Sequence, residues 1–332
     1  MPSYALLLAP SANRVYADAA PRIARAELTV FAGSGALDGA LTDIDAEEIG
    51  GVPYLTFAAD PTADDLALLA NLSAAYALYE RVEGGLLRPV ALRPLRRFDD
   101  DLITIPKYAG KTNEQFTRLL MNVTVLTAGR RLDRPLTVLD PLCGRGTTIN
   151  QALMYGYDGI GIELDGKDVD AYAAFLKTWL RRKRIKHQAS VTPVRRDRRL
   201  VARRFEAVIQ GERKAVVLAG DTLHAREFLK AGCADVVVTD LPYGVSHGSR
   251  TGGGLARGPL DLLAAAAPVW AQLLRPGGAL GMSWNTHVAS RADAAKTLAG
   301  AGFEVVEGPG YDGLAHRVDQ AIERDVLVAR RP

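Results

Sequence analysis

Cysteine is nearly absent from this chain: Cys143 and Cys233 are the whole complement. Two thiols build neither a disulfide framework nor a zinc cluster, so a reducing cytoplasm is the default compartment and no metal is expected. Long apolar runs are missing too. No stretch approaches the roughly 18 uninterrupted apolar residues of a membrane span. The opening "MPSYALLLAP" has an apolar run with no basic residue before it, and reads as a first strand rather than a secretion signal. Aromatic residues make up only 7%, against 48% hydrophobic and 24% charged, a globular composition. At 332 residues the chain suffices for one large domain or two ordinary ones.

An even charge balance is also lacking. The formal net charge is +3, yet residues 181–204 hold eleven Lys or Arg and one acid, Asp197. Residues 1–104 carry 8 basic and 15 acidic residues. A nucleic-acid partner would therefore meet residues 181–204 and avoid the first hundred.

Local patterns give the organisation. In the first part, 4–9, 52–58 and 86–92 read as strands. Residues 15–31 read as a helix with Pro21 near its first turn, and 61–82 as a longer helix ended by Gly84-Gly85. This makes residues 1–104 a small α/β unit, for which a ferredoxin-like arrangement is one candidate. Residues 93–115 read as a junction and 113–129 as a helix. From there strands (136–140, 157–164, 215–221, 234–240, 278–284, 303–308, 325–330) alternate with helical patterns (146–156, 168–187). Residues 105–332 are expected to form a Rossmann-like, doubly wound, mostly parallel sheet, with the last two strands as an antiparallel edge.

The loop "LDPLCGRGTTI" (139–149) leaves a buried strand and opens a helix, where open parallel sheets hold ligands. Gly144 and Gly146 permit a sharp turn and a close approach of ligand to backbone. No lysine follows, so a P-loop does not fit. Ile149 stands where a dinucleotide fingerprint has its third glycine. A nucleoside carrying an amino acid remains, and Glu163, ending the next strand, suits its ribose hydroxyls. A bare strand–helix turn competes with this reading. The other distinctive stretch is "TDLPYG" (239–244), set directly after the apolar "ADVVV". Asp240 and the carbonyl of Leu241 would orient the N–H bonds of a flat amine, Pro242 would stiffen the turn, and Tyr243 would offer a stacking face.

"DPLCGRGTT", "GIELD" and "DLPYG", in that order, resemble class I S-adenosylmethionine-dependent methyltransferases acting on exocyclic amino groups. Within these the tRNA guanine-N2 methyltransferases are the most similar. The resemblance spans about residues 105–332. It implies that Asp140, Cys143, Gly144, Gly146 and Thr147 lie at the methionine part of the cofactor, with packing the main role of Cys143. It further implies that Glu163 holds the ribose, that Asp221 and Thr222 lie at the adenine, and that the approach "GKTNEQF" with Thr112 closes over the cofactor. Leu241 departs from the commoner Asn/Asp-Pro-Pro-Tyr pattern and favours an RNA guanine enzyme by that resemblance.

The expected substrate is RNA, tRNA first, with Arg195, Arg196, Arg198 and Arg199 on its phosphates and His247 a further candidate contact. For the basic segment, a solvated surface insertion weighs equally. Asn285 and His287 are candidates for the pocket rim, and 315–325 for a polar network before the last strand. The alternatives are methylation of a DNA base, a protein glutamine or a small-molecule amine, or a non-catalytic cofactor-binding subunit. The intact Asp240–Tyr243 stretch argues against the last.

Overall fold

The computed structural model describes residues 1–10, 14–108, 110–242 and 258–332. The first unit comprises β1 (Ser3–Leu8), α1 (Arg14–Gly33), β2 (Leu41–Ile49), β3 (Val52–Ala59), α2 (Ala63–Leu69), β4 (Ala75–Val82) and β5 (Leu86–Val90). Its strands pair antiparallel in the order β2-β3-β1-β4-β5. A βαββαβ chain with its first strand between the third and fourth is the ferredoxin-like arrangement, and β5 extends it.

Two local readings change. The pattern over 61–82 is not one helix. A capping box between Thr62 and Asp65 starts α2, but it stops at Leu69. Asn71 then turns its amide back onto the carbonyls of Ala67 and Leu68, satisfying helix-end acceptors. The rest of the stretch is β4, whose Leu78 lies opposite Leu6 of β1. Pairing within the sheet has overridden helix propensity. Pro21 lies inside α1, beyond its first turn, where its missing N–H removes one helix bond.

The second unit follows α3 (Asp101–Thr104) and α4 (Glu114–Thr127). It holds β6 (Thr137–Asp140), α5 (Thr147–Met154), β7 (Asp158–Glu163), α6 (Gly166–Arg182), β8 (His187–Arg196), β9 (Arg199–Ile209), β10 (Arg213–Ala219), β11 (Ala234–Asp240), α7 (Pro259–Leu273), β12 (Leu274–Asn285), α8 (Arg291–Gly300), β13 (Glu304–Val305), β14 (His316–Arg317) and β15 (Glu323–Arg330). The strand order is β13-β15-β12-β11-β6-β7-β10-β9-β8, with β14 alongside β15. The five central strands are parallel, and β13 and β15 form the expected antiparallel edge. Both faces are buried, with alternation along each strand. Val236 and Val238 face α4, while Val237 joins Trp270 and Leu273 of α7.

The basic segment does not stay together. Residues 181–186 end α6 at the amino end of the sheet, where Lys183 pairs with Asp99 and Asp101 at 2.7 and 2.6 Å. Residues 187–209 are a hairpin that widens the sheet beyond β10. Arg203 lies opposite Ala219, which lies opposite Glu163 at the carboxyl end of β7. The tip, turned by Asp197 and Arg198 at positive φ, lies about five residues further on, so it projects roughly 16 Å past the carboxyl end. Among the described residues, no helix is long and apolar enough to cross a membrane.

One core joins the two sheets. Leu6, Leu28, Leu55 and Phe57 of the first unit belong to the same apolar cluster as Phe116, Leu119, Val138 and Val328 of the second. Within it sits Glu27, fully buried. Its carboxylate accepts the amide of Ser73 at 3.1 and 3.0 Å, the hydroxyl of Ser73 at 2.6 Å and the side-chain amide of Asn122 at 2.7 Å. Burial pushes this acid above the ordinary carboxylate range, against those bonds. Asn122 also donates to the Asn71 carbonyl, and its own carbonyl accepts from Tyr155. Asn122→Ala strips partners from three buried groups and should cost about 2–4 kcal/mol. Denaturant unfolding followed by two probes, one per sheet, should show a single transition in the wild type and a single, lower one in the variant.

Candidate active site

The order of the parallel strands reverses between β6 and β11. From β6 the chain adds β7 and then β10 on one side, and then returns to add β11 and β12 on the other. Loops leaving β6 and β11 part at that point and open a crevice at the carboxyl ends of the strands. The glycine loop leaves β6 and the "DLP" turn leaves β11, so the two motifs meet there although 100 residues apart in the chain. Thr239 ties them directly, its hydroxyl donating to Asp140 at 3.0 Å.

Asp140 is buried and also accepts the Leu142 amide at 3.1 Å. Burial pushes its carboxyl up to about 7; bonds from Thr148, Leu142 and Thr239 oppose the shift, and the neighbouring Asp240 adds to it. Glu163 ends β7 and holds the loop, its carboxylate accepting the amides of Gly144 at 3.0 Å and Asp165 at 2.8 Å. Burial raises this acid as well. Asp221 stands on the same rim, since the amide of Gly220 donates to the Glu163 carbonyl at 3.0 Å. It caps the short 3-10 turn Thr222–Glu227 through the Leu223 amide.

The two loop glycines have different reasons. Gly144 has φ 49°, and a Cβ there would meet nothing within 4 Å, so the loop leaves room on that side. Gly146 has φ 78°, but its Cβ would strike the buried Tyr172 ring at 2.4 Å. A side chain at Gly146 would thus meet the protein's own α6. Cys143 also faces inward. Its Sγ fills the space left by Gly161, and burial pushes its thiol up. Its side chain is spent on packing. Thr222 accepts the Trp270 indole N–H at 2.8 Å, which spends its hydroxyl in the core beneath α7. Thr147 shares a hydrogen bond of 2.7 Å with Tyr108, above which Arg145 stacks at 5.3 Å.

Thr112 donates its hydroxyl to Asp240 Oδ2 at 2.8 Å. Tyr108 and Thr112 therefore strap the segment before α4 across both loops. The Asp240 carboxylate is further bonded by Ser283 of β12, at 2.6 Å on Oδ1, and faces Arg324 of β15 at 3.4 Å on Oδ2. Arg324 is buried, with its guanidinium 4.3 Å from the centre of the Phe116 ring. Leu241 is buried and its amide donates to the Ser283 carbonyl at 2.8 Å, fixing the turn to β12. Pro242 follows it, half-buried; Tyr243 and His247 lie outside the described residues.

Ser283 and Arg324 carry no motif of their own; their signal is a place near strand ends, Ser283 on β12 beside β11 and Arg324 on β15 beyond it. Asn285 is buried and tied to Ala321 and Glu323, a structural brace rather than a rim contact, whereas His287 is exposed. Residues 315–325 do form a polar network, with Arg291 held by Asp325 at 2.8 Å. Arg195, Arg196, Arg198 and Arg199 are all exposed and gathered at the hairpin tip. They stand three to four strands from the crevice, roughly 14–19 Å across the sheet.

No protein-family model matches this chain, and no curated protein does. Among solved structures it is similar to TrmN from Thermus thermophilus, at 16% identity and a TM-score of 0.41 over 87% of this chain, spanning 59% of that one. It is also similar to the 1,6-didemethyltoxoflavin-N1-methyltransferase of Burkholderia thailandensis, at 16% identity and a TM-score of 0.39 over 66% of this chain and 79% of that one. A TehB-like SAM-dependent methyltransferase from Corynebacterium glutamicum is a third, at 16% and 0.36 over 60% and 82%. At such identities and scores nothing about this chain's substrate follows from them.

The raised Asp140 carboxyl sets a pH dependence. Its folded value lies above its unfolded one, so its contribution to stability is complete below about 3.8 and is lost as pH rises through about 7. Asp140→Asn stays neutral throughout. In thermal scans without ligand, the variant should gain on the wild type between pH 5 and pH 8, by on the order of 2 kcal/mol.

Proposed function

We propose that this chain is an S-adenosylmethionine-dependent methyltransferase that acts on an exocyclic amino nitrogen, guanine N2 in RNA being the first candidate and tRNA the first RNA. The observation that carries this reading is the Asp240–Leu241–Pro242 turn, held rigid at the strand-order reversal beside the glycine loop.

The residues present fit the cofactor. Asp140, Glu163 and Asp240 line one crevice with carboxylates, which suits a ligand carrying positive charge and hydroxyls and disfavours one led by phosphates. Two of the roughly four acceptor positions of Glu163 are used by backbone amides, leaving others for ribose hydroxyls. Gly144 leaves its side of the loop open, and Asp221 stands at the far rim for the adenine. When bound, the cofactor supplies an electrophilic methyl group on a sulfonium.

The chain's own residues then have to orient a poor nucleophile. The lone pair of an aromatic amine is delocalised into its ring. Asp240 accepts one N–H and the Leu241 carbonyl accepts the other, which aims the nitrogen and favours the positive charge growing on it. Pro242 keeps the turn stiff and brings no competing N–H. Tyr243 is assigned the stacking face and His247 a substrate contact.

The hairpin arm supports a polynucleotide acceptor. Arg195, Arg196, Arg198 and Arg199 project beyond the carboxyl end of the sheet, on the side where the crevice opens. Arg196 also lines a groove with Arg226 and Lys230. A small acceptor would not reach these charges; a phosphate backbone passing through the crevice would.

The direct test is isotope-labelled methyl transfer to tRNA, ribosomal RNA, DNA and total protein, followed by nucleoside analysis. Methyl-guanosine from RNA is the expected product. Label in protein or DNA alone overturns the RNA assignment, and label in none overturns the enzyme. Asp240→Ala, which removes the acceptor oxygen that an asparagine would keep, is the variant to test. It should lower turnover by roughly 100–1000-fold and leave cofactor affinity near the wild type by calorimetry. For the arm, changing its four arginines to glutamine should weaken RNA binding and flatten the plot of log affinity against log salt by roughly 0.7–0.9 for each phosphate left without its arginine. A salt-insensitive wild type would make the arm a solvated hairpin.

A further inference from the structure

We infer that Arg324, Ser283 and Thr112 form a three-sided clamp that positions the Asp240 carboxylate, with Arg324 the residue that fixes its charged edge. This inference rests on the reading of Asp240 as the acceptor for an amine N–H. The three residues arrive from separate parts of the chain. Thr112 comes from the strap before α4, Ser283 from β12 and Arg324 from β15, yet all three meet the same carboxylate at 2.8, 2.6 and 3.4 Å. Their bonds fall on both oxygens, so the plane of the group is set and not merely its position.

The burial of Arg324 calls for a reason. Its side chain is only 5% exposed, and arginine is seldom buried to that degree unless its charge is answered. Its charge is answered by Asp240 on one side, and its flat face lies on Phe116. Phe116 is backed in turn by His316, at 5.1 Å between ring centres, and Tyr16 of α1 stands edge-on to that histidine at 5.5 Å. Burial lowers His316 to about 4, with the charges of Arg324 and Arg22 acting in the same direction, so the ring beside Phe116 stays neutral.

The clamp also resolves a conflict in the crevice. Asp140 and Asp240 end adjacent strands, and the charge of Asp240 adds a minor part to the upward shift that burial gives the Asp140 carboxyl. Hydroxyl donors rotate freely and carry no net charge. A fixed guanidinium offsets the second carboxylate and holds it against rotation. Amine alignment tolerates little error: a misplacement of about 1 Å can cost 100-fold in rate. Arg324 is therefore a positioning residue that acts through Asp240.

The test uses the full chain with Arg324→Gln, Arg324→Lys, Ser283→Ala and Thr112→Val. Cofactor affinity comes from calorimetry, turnover and acceptor KM from methyl transfer, and integrity from thermal unfolding. Arg324→Gln should lower kcat about 100-fold, with acceptor KM and cofactor Kd within about twofold. Arg324→Lys should recover at least a tenth of the wild-type kcat. Ser283→Ala and Thr112→Val should each lower kcat severalfold with the same pattern. Unchanged kcat in Arg324→Gln, a loss in Kd or KM in place of kcat, or a lysine variant no better than glutamine would overturn the clamp. If Arg324→Gln does not fold, Ser283→Ala and Thr112→Val decide, and wild-type kcat in both overturns it. A wild type inactive on every acceptor sinks the parent reading and this inference with it; an active wild type with unaffected variants sinks only this one.

Discussion

Two carboxylates end up side by side where the strand order reverses, and the chemistry of the crevice turns on how that contact is borne. Asp140 ends β6 and Asp240 ends β11, and the Thr239 hydroxyl stitches the strands there at 3.0 Å. The buried member of the pair, Asp140, is pushed towards neutrality. The other stays at the mouth with Arg324 against it. The asymmetry is produced by position alone. One acid lies under the glycine loop and the other lies at the turn, within reach of β12, β15 and the strap. Two residues of the same type thereby acquire different tasks.

The parts of this arrangement that sequence exposes are those encoded within a dozen residues. "DPLCGRGTT" and "TDLPYG" each hold their own strand end and turn, so their place at the carboxyl ends of a parallel sheet was legible. Glu163 was legible because the next strand is short and regular. The supports of Asp240 were not. Ser283 and Arg324 lie 43 and 84 residues further along the chain, and their approach depends on β12 and β15 entering the sheet in opposite directions. Thr112 was legible as part of the strap, but its partner was not.

Other misreadings share a physical cause. A local pattern states what a segment can do, whereas neighbours decide what it does. Residues 75–82 can continue a helix, yet an open edge of β1 claims them. Eleven basic residues look like one patch until α6 and the hairpin carry them to opposite ends of a strand some ten residues long. The four arginines at the tip do lie together, because a two-residue turn joins them whatever surrounds them.

The Glu27 knot has a consequence for how this architecture is inherited. A carboxylate from α1, a backbone amide at residue 73, a side-chain amide from α4 and a tyrosine from the end of α5 satisfy one another out of reach of water. Cut the chain near residue 104, and each half would expose a greasy face studded with polar groups shaped for a missing counterpart. The small sheet is thus no detachable accessory of the large one. A single break in the chain that removed it would leave buried donors and acceptors of the large sheet's helices without their partners.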